Sequence, residues 1–300
     1  MFIFKLQSYI ESIEKDASLY EQRNFEKRSE AIDFIGFQVI DQIDEWLLSA
    51  TSTDQLLLLR QRAEKVRSAL ERTDQQLFQH IQSDIRLGRY AHTGFKALIS
   101  GYVDFNVHDP AAQEDIGYDH LDELINGLSL FQIMPEQTKD LEPEMVYYQK
   151  TPARIVFELV EKSQISKDDV FFDIGAGLGQ VAILVNLLAG ITTKGIEFEP
   201  AFCDYAKDCA AALNLEDVTF INADARAADY SDGTIFFMFT PFRGEIMQAV
   251  LEILRQESLQ RKIKVITYGP CTAEVALQSW LSAATQEESN VYKLGVFSSF

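Results

Sequence analysis

Residues 170–185 read VFFDIGAGLGQVAILV, an apolar run, a glycine-spaced turn and a second apolar run. Val170, Phe171, Phe172 and Ile174 suit a strand buried on both faces, interrupted only by Asp173 near its carboxyl end. Gly175, Gly177 and Gly179 follow. Glycines at this spacing permit positive φ in the turn, bring backbone amides close to a ligand and let the next helix start tight against the sheet. Gln180–Leu188 supplies that helix, whose first NH groups and dipole favour a polar or anionic group. The stretch is a strand, loop and helix that would cradle a nucleotide-like molecule.

Further strands follow on its carboxyl side. Residues 194–200, KGIEFEP, place Glu197 at the end of a second parallel strand, where a carboxylate can accept both hydroxyls of a ribose. Residues 218–224, VTFINAD, read as a third strand ending in Asp224 with Ala225 after it, and 234–240, TIFFMFT, as a fourth that stops at Pro241. Glu245–Arg255 is periodic as a helix, and Lys262–Tyr268 is a fifth strand ended by Gly269 and Pro270. Trp280–Thr285 and Val291–Ser299, around a polar turn at 286–290, predict an antiparallel hairpin. Residues 273–281 fit a helix and a strand equally.

The dinucleotide fingerprint needs a third glycine three residues after the second, and position 180 is Gln. The even spacing of Asp173, Gly175, Gly177 and Gly179, with acids at two later strand ends, resembles instead the first motif of the class I, seven-stranded S-adenosylmethionine-dependent methyltransferases. The resemblance covers about residues 145–300. It implies an α/β fold, a doubly wound, mostly parallel seven-stranded sheet with a C-terminal antiparallel hairpin, and S-adenosyl-L-methionine as cofactor. Carried over, Asp173 holds the cofactor's amino group directly or through water, and the three glycines pass beneath it. Glu197 takes the ribose and Asp224 the adenine amino group, with Gln180, Ala225 and Thr151 beside the cofactor. Several lysine-modifying members carry a Tyr-x-x-Thr-Pro-like lid before the first strand, matched here by Tyr148, Gln149, Thr151 and Pro152. Thr151 also reads as a helix N-cap with Pro152 at the first helical position, so capping and packing is the alternative use. That segment, the Gln after the last glycine and the acidic body are similar to the non-SET lysine methyltransferases.

Methyl transfer from a sulfonium needs nucleophile, carbon and sulfur held in a row with water removed. The acceptor is expected near the end of the fourth strand, so Thr240, Phe242 and Tyr148 are the candidate catalytic residues. Amide and base N-methyltransferases carry Asn- or Asp-Pro-Pro-aromatic at this point. Thr240 cannot replace both the carbonyl and the NH2 of Asn, which disfavours glutamine, adenine and cytosine acceptors. Phe242 suits stacking on an acceptor or lining a lysine channel. The leading expectation is methyl transfer to an amine, foremost a protein lysine. The alternatives are a small-molecule O- or N-methyltransferase, a partner-binding protein that keeps the cofactor fold without turnover, and a nicotinamide-dependent oxidoreductase, which Gln180 and the terminal hairpin disfavour.

Composition narrows the partners. A net charge of −19 over 300 residues argues against nucleic acid, where clustered Lys and Arg are required. Three cysteines without a CxxC pair, and four scattered histidines, His80, His92, His108 and His120, predict no metal site. Glu11 and Glu14 arrive too soon for a signal-peptide core, and no apolar run is long enough to span a bilayer. No membrane association and cytoplasmic residence are expected.

Residues 1–140 read as a helical accessory domain and 141–300 as the S-adenosylmethionine-binding domain. Ile32, Ile35, Val39, Ile43 and Trp46 would line one face of a helix over 31–48. Ser52 with Gln55 fits a capping box for a second, long helix with apolar positions at Leu56, Leu59, Ala63, Val66, Leu70, Thr73 and Leu77, stopping at Gly88. The two should pack as an antiparallel hairpin, whose stripe serves as an ordinary core or as a homodimer or partner surface. Residues 101–145 carry eleven acids against one base, Lys139, as a solvated connecting segment, with a short helix over His120–Leu130.

Overall fold

The structure is a computed structural model and describes residues 2–48, 54–90, 93–106, 117–129, 133–284 and 292–300. Five strands run parallel: β1 (Val170–Ile174), β2 (Thr192–Glu197), β3 (Val218–Asn222), β4 (Ile235–Phe239) and β5 (Lys264–Tyr268). β6 (Leu281–Ala283) and β7 (Gly295–Ser299) form the antiparallel hairpin, with β7 paired to β5. The seven strands lie in the order β3-β2-β1-β4-β5-β7-β6. Because the order reverses between β1 and β4, the loops after these strands diverge and leave a crevice at their carboxyl ends.

Alternation explains the two-sided burial of the central strands. Phe171 and Phe237 enter the core on one face, and Phe172, Phe236 and Met238 the core on the other. The first face is covered by α7 (Ala153–Lys162), α8 (Gln180–Ala189) and α9 (Pro200–Ala212), the second by α10 (Gly244–Ser258) and α11 (Cys271–Ala276). The ambiguous 273–281 stretch is therefore divided: α11 ends at Ala276 and β6 begins at Leu281.

The helical half holds elements that pattern reading missed: the helix Phe2–Lys15, most of the helix Phe25–Asp33 and the short helix Thr93–Ile99. Phe2–Lys15 forms α1, with Leu6 and Ile10 fully buried. α2 (Phe25–Asp33) continues through a π-helical stretch, Phe34–Ile40, into α3 (Asp41–Leu47), and α4 (Asp54–Arg86) is the long helix. The expected stripe of α4 is buried from Leu56 to Leu77, and its upper part packs on α1 and on residues 34–47 of the same chain. Gly88, at φ +64°, stands just past its end. Trp46 departs from the expected face and is 49% exposed. After Ile43, which is fully buried, the face continues four residues on to Leu47, which packs against the core, in place of Trp46 three residues on. The Ser52 cap, the 286–290 turn, His92 and His108 lie outside the described residues.

The lower part of α4 behaves differently. Leu77, Ile81 and Ile85 join α5 (Thr93–Ile99) and α6 (His120–Gly127) in the core that contains α7, α8 and the first sheet face. Asp119 caps α6, accepting from the backbone of Leu121 and Asp122. Asp122 in turn accepts the Ala153 N–H at 2.8 Å and so satisfies the start of α7 from a distance. This corrects the reading of Thr151 as the cap: Pro152 occupies that position without a side-chain bond, and Thr151 lines the crevice one residue earlier.

Candidate active site

The glycine loop closes on the end of β2: the N–H groups of Gly175 and Ala176 both donate to the Ile196 carbonyl at 2.9 Å. Gly177 has φ +53°, and the Tyr148 ring fills the place a Cβ would take. The backbone is thus held open by two features that forbid a side chain. Gly179 is the N-cap of α8 and sits under Phe220, away from the crevice.

Above the loop lies a cavity of about 240 Å3. Asp173, Gly175, Gly177, Gln180, Glu197, Asp224, Ala225, Thr151, Tyr148, Thr240 and Phe242 all border it, so of the candidates from sequence only Gly179 does not. Asp173 is buried and its Oδ2 has no hydrogen-bond partner. Burial, with the Glu197 carboxylate adding to it, pushes the Asp173 carboxyl up to about 8. Both amide atoms of Gln180 are likewise buried and unpartnered. Buried polar atoms left unsatisfied inside a cavity mark a place where a ligand completes the bonding.

Glu197 is held from two sides. Its Oε2 accepts the Gly177 N–H at 2.7 Å and its Oε1 the Glu199 N–H at 2.8 Å, while burial raises its carboxyl above the ordinary range. Each oxygen keeps a further lone pair for a diol. Asp224 is gripped by the Arg226 guanidinium, Nε to Oδ1 at 3.0 Å and Nη2 to Oδ2 at 2.6 Å, and this holds its carboxyl low. Arg226 also reaches Glu142 at 2.6 Å.

The other end of the cavity is apolar, walled by Phe242, Met145, Ile246, Phe239 and Pro241. Thr240 is a β-branched residue at φ +40°. Its hydroxyl donates to the Tyr268 carbonyl at 3.2 Å and accepts from the Cys271 N–H at 3.1 Å, so it ties the β4 loop to the end of β5. The Tyr148 ring packs edge-on against Phe202, and burial pushes its phenol well above the usual range. It stays protonated near neutral pH and can donate but not act as a base.

Sequence reasoning missed Glu199 and the segment 137–147. Glu199 was readable as an acid directly before Pro200 and is the N-cap of α9, accepting from the Ala201 N–H. The segment has no periodicity, and only folding brings Gln137, Leu141 and Met145 to the cavity. Four carboxylates line the cavity, Asp173, Glu197, Glu199 and Asp224, and among the described residues no Lys, Arg or His does. Among the described residues no three His, Cys, Asp or Glu side chains are grouped to hold a metal ion, and no helix is long and apolar enough to cross a membrane.

Residues 143–233 match the family model of the histone methylation protein DOT1. No curated protein matches the chain. Among solved structures, an RNA methyltransferase from Salinibacter ruber in complex with S-adenosyl-L-homocysteine is 22% identical, over 50% of this chain and 92% of its own, with a TM-score of 0.41. An S-adenosylmethionine-dependent methyltransferase from Aquifex aeolicus is 17% identical over 48% of this chain and 88% of its own, at 0.40. A precorrin-6y C5,15-methyltransferase from Geobacter metallireducens is 16% identical over 52% and 92%, at 0.38. By its strand order, its glycine loop and the family match, the second half of the chain resembles the class I, seven-stranded S-adenosylmethionine-dependent methyltransferases and, more distantly, their non-SET lysine-methylating branch.

Proposed function

We propose that the chain transfers a methyl group from S-adenosylmethionine to an amine, foremost the side chain of a protein lysine. The observation that carries this reading is the lining of the cavity, four carboxylates and, among the described residues, no basic side chain, with one carboxylate oxygen and a whole amide left unpartnered. A cationic cofactor and an acceptor that arrives as a cation suit such a lining, whereas phosphate and carboxylate acceptors find nothing there to pair with.

The residues fit the cofactor. Asp173, Gln180 and Thr151 would hold its amino-acid end, Glu197 its ribose, and Asp224 with Ala225 its adenine. Bound there, it supplies a methyl group on a positively charged sulfur, an activated leaving group. The protein's own part is positioning. Phe242, Met145, Ile246 and Pro241 exclude water from the acceptor end, and an amine desolvated among them favours its neutral form, which carries the lone pair. No side chain there has to act as a strong base.

Calorimetry tests the cofactor and labelling tests the acceptor. S-adenosylhomocysteine should bind with a Kd in the micromolar range, roughly −8 kcal/mol, and NADH should not bind comparably; the reverse would exclude the reading. With methyl-labelled cofactor and cell lysate, label on lysine in protein supports the lysine acceptor. Label in small solutes would assign a small-molecule acceptor, and none in either would leave a binding protein.

A further inference from the structure

Residues 137–148 cross the mouth of the cavity and are tied to the site loops after β2, β3 and β4. At the β2 loop, the Thr138 hydroxyl bonds Glu199 Oε1, and the Lys139 N–H donates to Glu199 Oε2 at 2.8 Å. The Lys139 ammonium donates to the Phe198 carbonyl at 3.1 Å and lies 4.4 Å from the centre of the Phe198 ring. At the β3 loop, Glu142 pairs with Arg226, the residue that grips Asp224. At the β4 loop, Glu144 Oε2 accepts the Ile246 N–H at 2.9 Å at the start of α10, the Arg243 N–H donates to the Glu144 carbonyl at 3.0 Å, and the Val146 N–H donates to the Pro241 carbonyl at 3.0 Å. Tyr148 then ends the crossing by lying over Gly177.

These ties are polar, local and mostly near the surface. None of residues 137–147 belongs to the buried core, although Met145 packs against its edge. A segment held by hydrogen bonds and ion pairs rather than by buried apolar area opens at a lower free energy than the sheet beneath it. The cavity it covers is bounded below by backbone and by fully packed strands, so the segment is the part that can move aside.

We propose that residues 137–148 are a strap that gates exchange of the cofactor, latched at Glu199 by Thr138 and Lys139. The inference rests on the cofactor reading above. It makes Thr138 and Lys139 positioning residues, since neither borders the cavity and both act through Glu199 and Phe198. Opening the latch frees the strap over the adenosine side, while the Glu144 tie to α10 keeps it attached beside the acceptor loop.

The test is the dissociation rate of S-adenosylhomocysteine from the full chain, measured by surface plasmon resonance for the unmodified protein and for the double variant Thr138→Val with Lys139→Ala. Both changes leave Glu199 and the α9 cap in place. The variant loses the Thr138 hydroxyl bond to Glu199 and the Lys139 ammonium bond to Phe198 but keeps the Lys139 N–H bond to Glu199, so dissociation should be faster by about tenfold, as for the loss of two hydrogen bonds, with association also faster, so that Kd moves less than the rate. Amide hydrogen exchange of residues 138–148 in the unmodified protein supplies a second measurement and should slow when S-adenosylhomocysteine binds. A folded double variant with an unchanged dissociation rate would overturn the latch, as would strap amides indifferent to the ligand. No binding by the unmodified chain would overturn the cofactor reading, and the gate with it.

Discussion

Arg28 and Asp173 are both buried ionisable side chains, and their surroundings differ. Arg28, in the helical half, is fully enclosed but charge-paired by its own chain: its Nε donates to Asp74 at 2.6 Å, its Nη1 donates to the carbonyls of Leu19 and Glu21 at 3.1 and 3.0 Å, and its Nη2, which makes no hydrogen bond of its own, lies 2.6 Å from the same Asp74 oxygen. Asp173, in the sheet half, has a buried oxygen with no partner and a second carboxylate for a neighbour. A buried charge supplied with partners by its own chain specifies structure, whereas one left without them inside a cavity is held ready for something outside the chain. The same difference separates Asp122, whose two oxygens accept the N–H groups of Asp119 and Ala153, from Gln180, whose side-chain amide bonds nothing.

The largest expected effect probes the structural member of that pair. Asp74→Ala leaves Arg28 buried without its carboxylate and should lower unfolding free energy by about 3–5 kcal/mol in urea titration, with S-adenosylhomocysteine affinity of the folded fraction unchanged. A small loss would show that Arg28 reaches solvent and would weaken the contrast.

Asp173→Asn should act in the opposite sense. Affinity for S-adenosylhomocysteine should fall by roughly 10- to 100-fold, as for the loss of a charged hydrogen bond, while the ligand-free protein becomes more stable at neutral pH. The sign follows from the raised pKa. With a carboxyl near 8 in the fold against 3.8 unfolded, the unmodified protein loses stability through this group as pH rises from about 4 towards 8. The difference in melting temperature between variant and unmodified protein should therefore vanish below pH 4 and grow above it. Because the ligand's ammonium group takes the ionised carboxylate, affinity should rise by up to about tenfold per pH unit below 8, with one proton released on binding in calorimetry. Affinity independent of pH would mean that Asp173 is already ionised.

Gly177→Ala sharpens the comparison at the level of backbone. A methyl group there collides with Tyr148 at a φ of +53°, so stability should drop by about 1–3 kcal/mol and the strap should lose its seat. Differential scanning calorimetry reads the first effect. The smallest change is Trp46→Ser, expected to cost about 1 kcal/mol because half of the residue is exposed. A larger loss would show that this face of α3 is covered.

Much of the site was legible because it is built from local rules. An apolar run ending in Asp173, glycines where φ must be positive, and acids at the ends of β2 and after β3 are each a few residues long and each follow from strand geometry. Helix α4 was legible for the same reason, its stripe repeating over many turns. Trp46 was not, because both Trp46 and Leu47 lie one turn beyond Ile43 and are apolar, and only packing chose Leu47. Thr151 was misread for a related reason: the N–H it was expected to cap is satisfied by Asp122, thirty-one positions earlier in the chain.

Sequence alone therefore determined the succession of the five parallel strands, the glycine loop and three of the four cavity carboxylates, since these depend on periodicity and on what a single turn permits. Tertiary structure decided which of those carboxylates are left unsatisfied, that Thr240 spends its hydroxyl on β5, and that residues 137–148 lie across the crevice. Hydrogen-bond satisfaction depends on groups far apart in the chain, and no local pattern encodes which distant partner will arrive or fail to arrive.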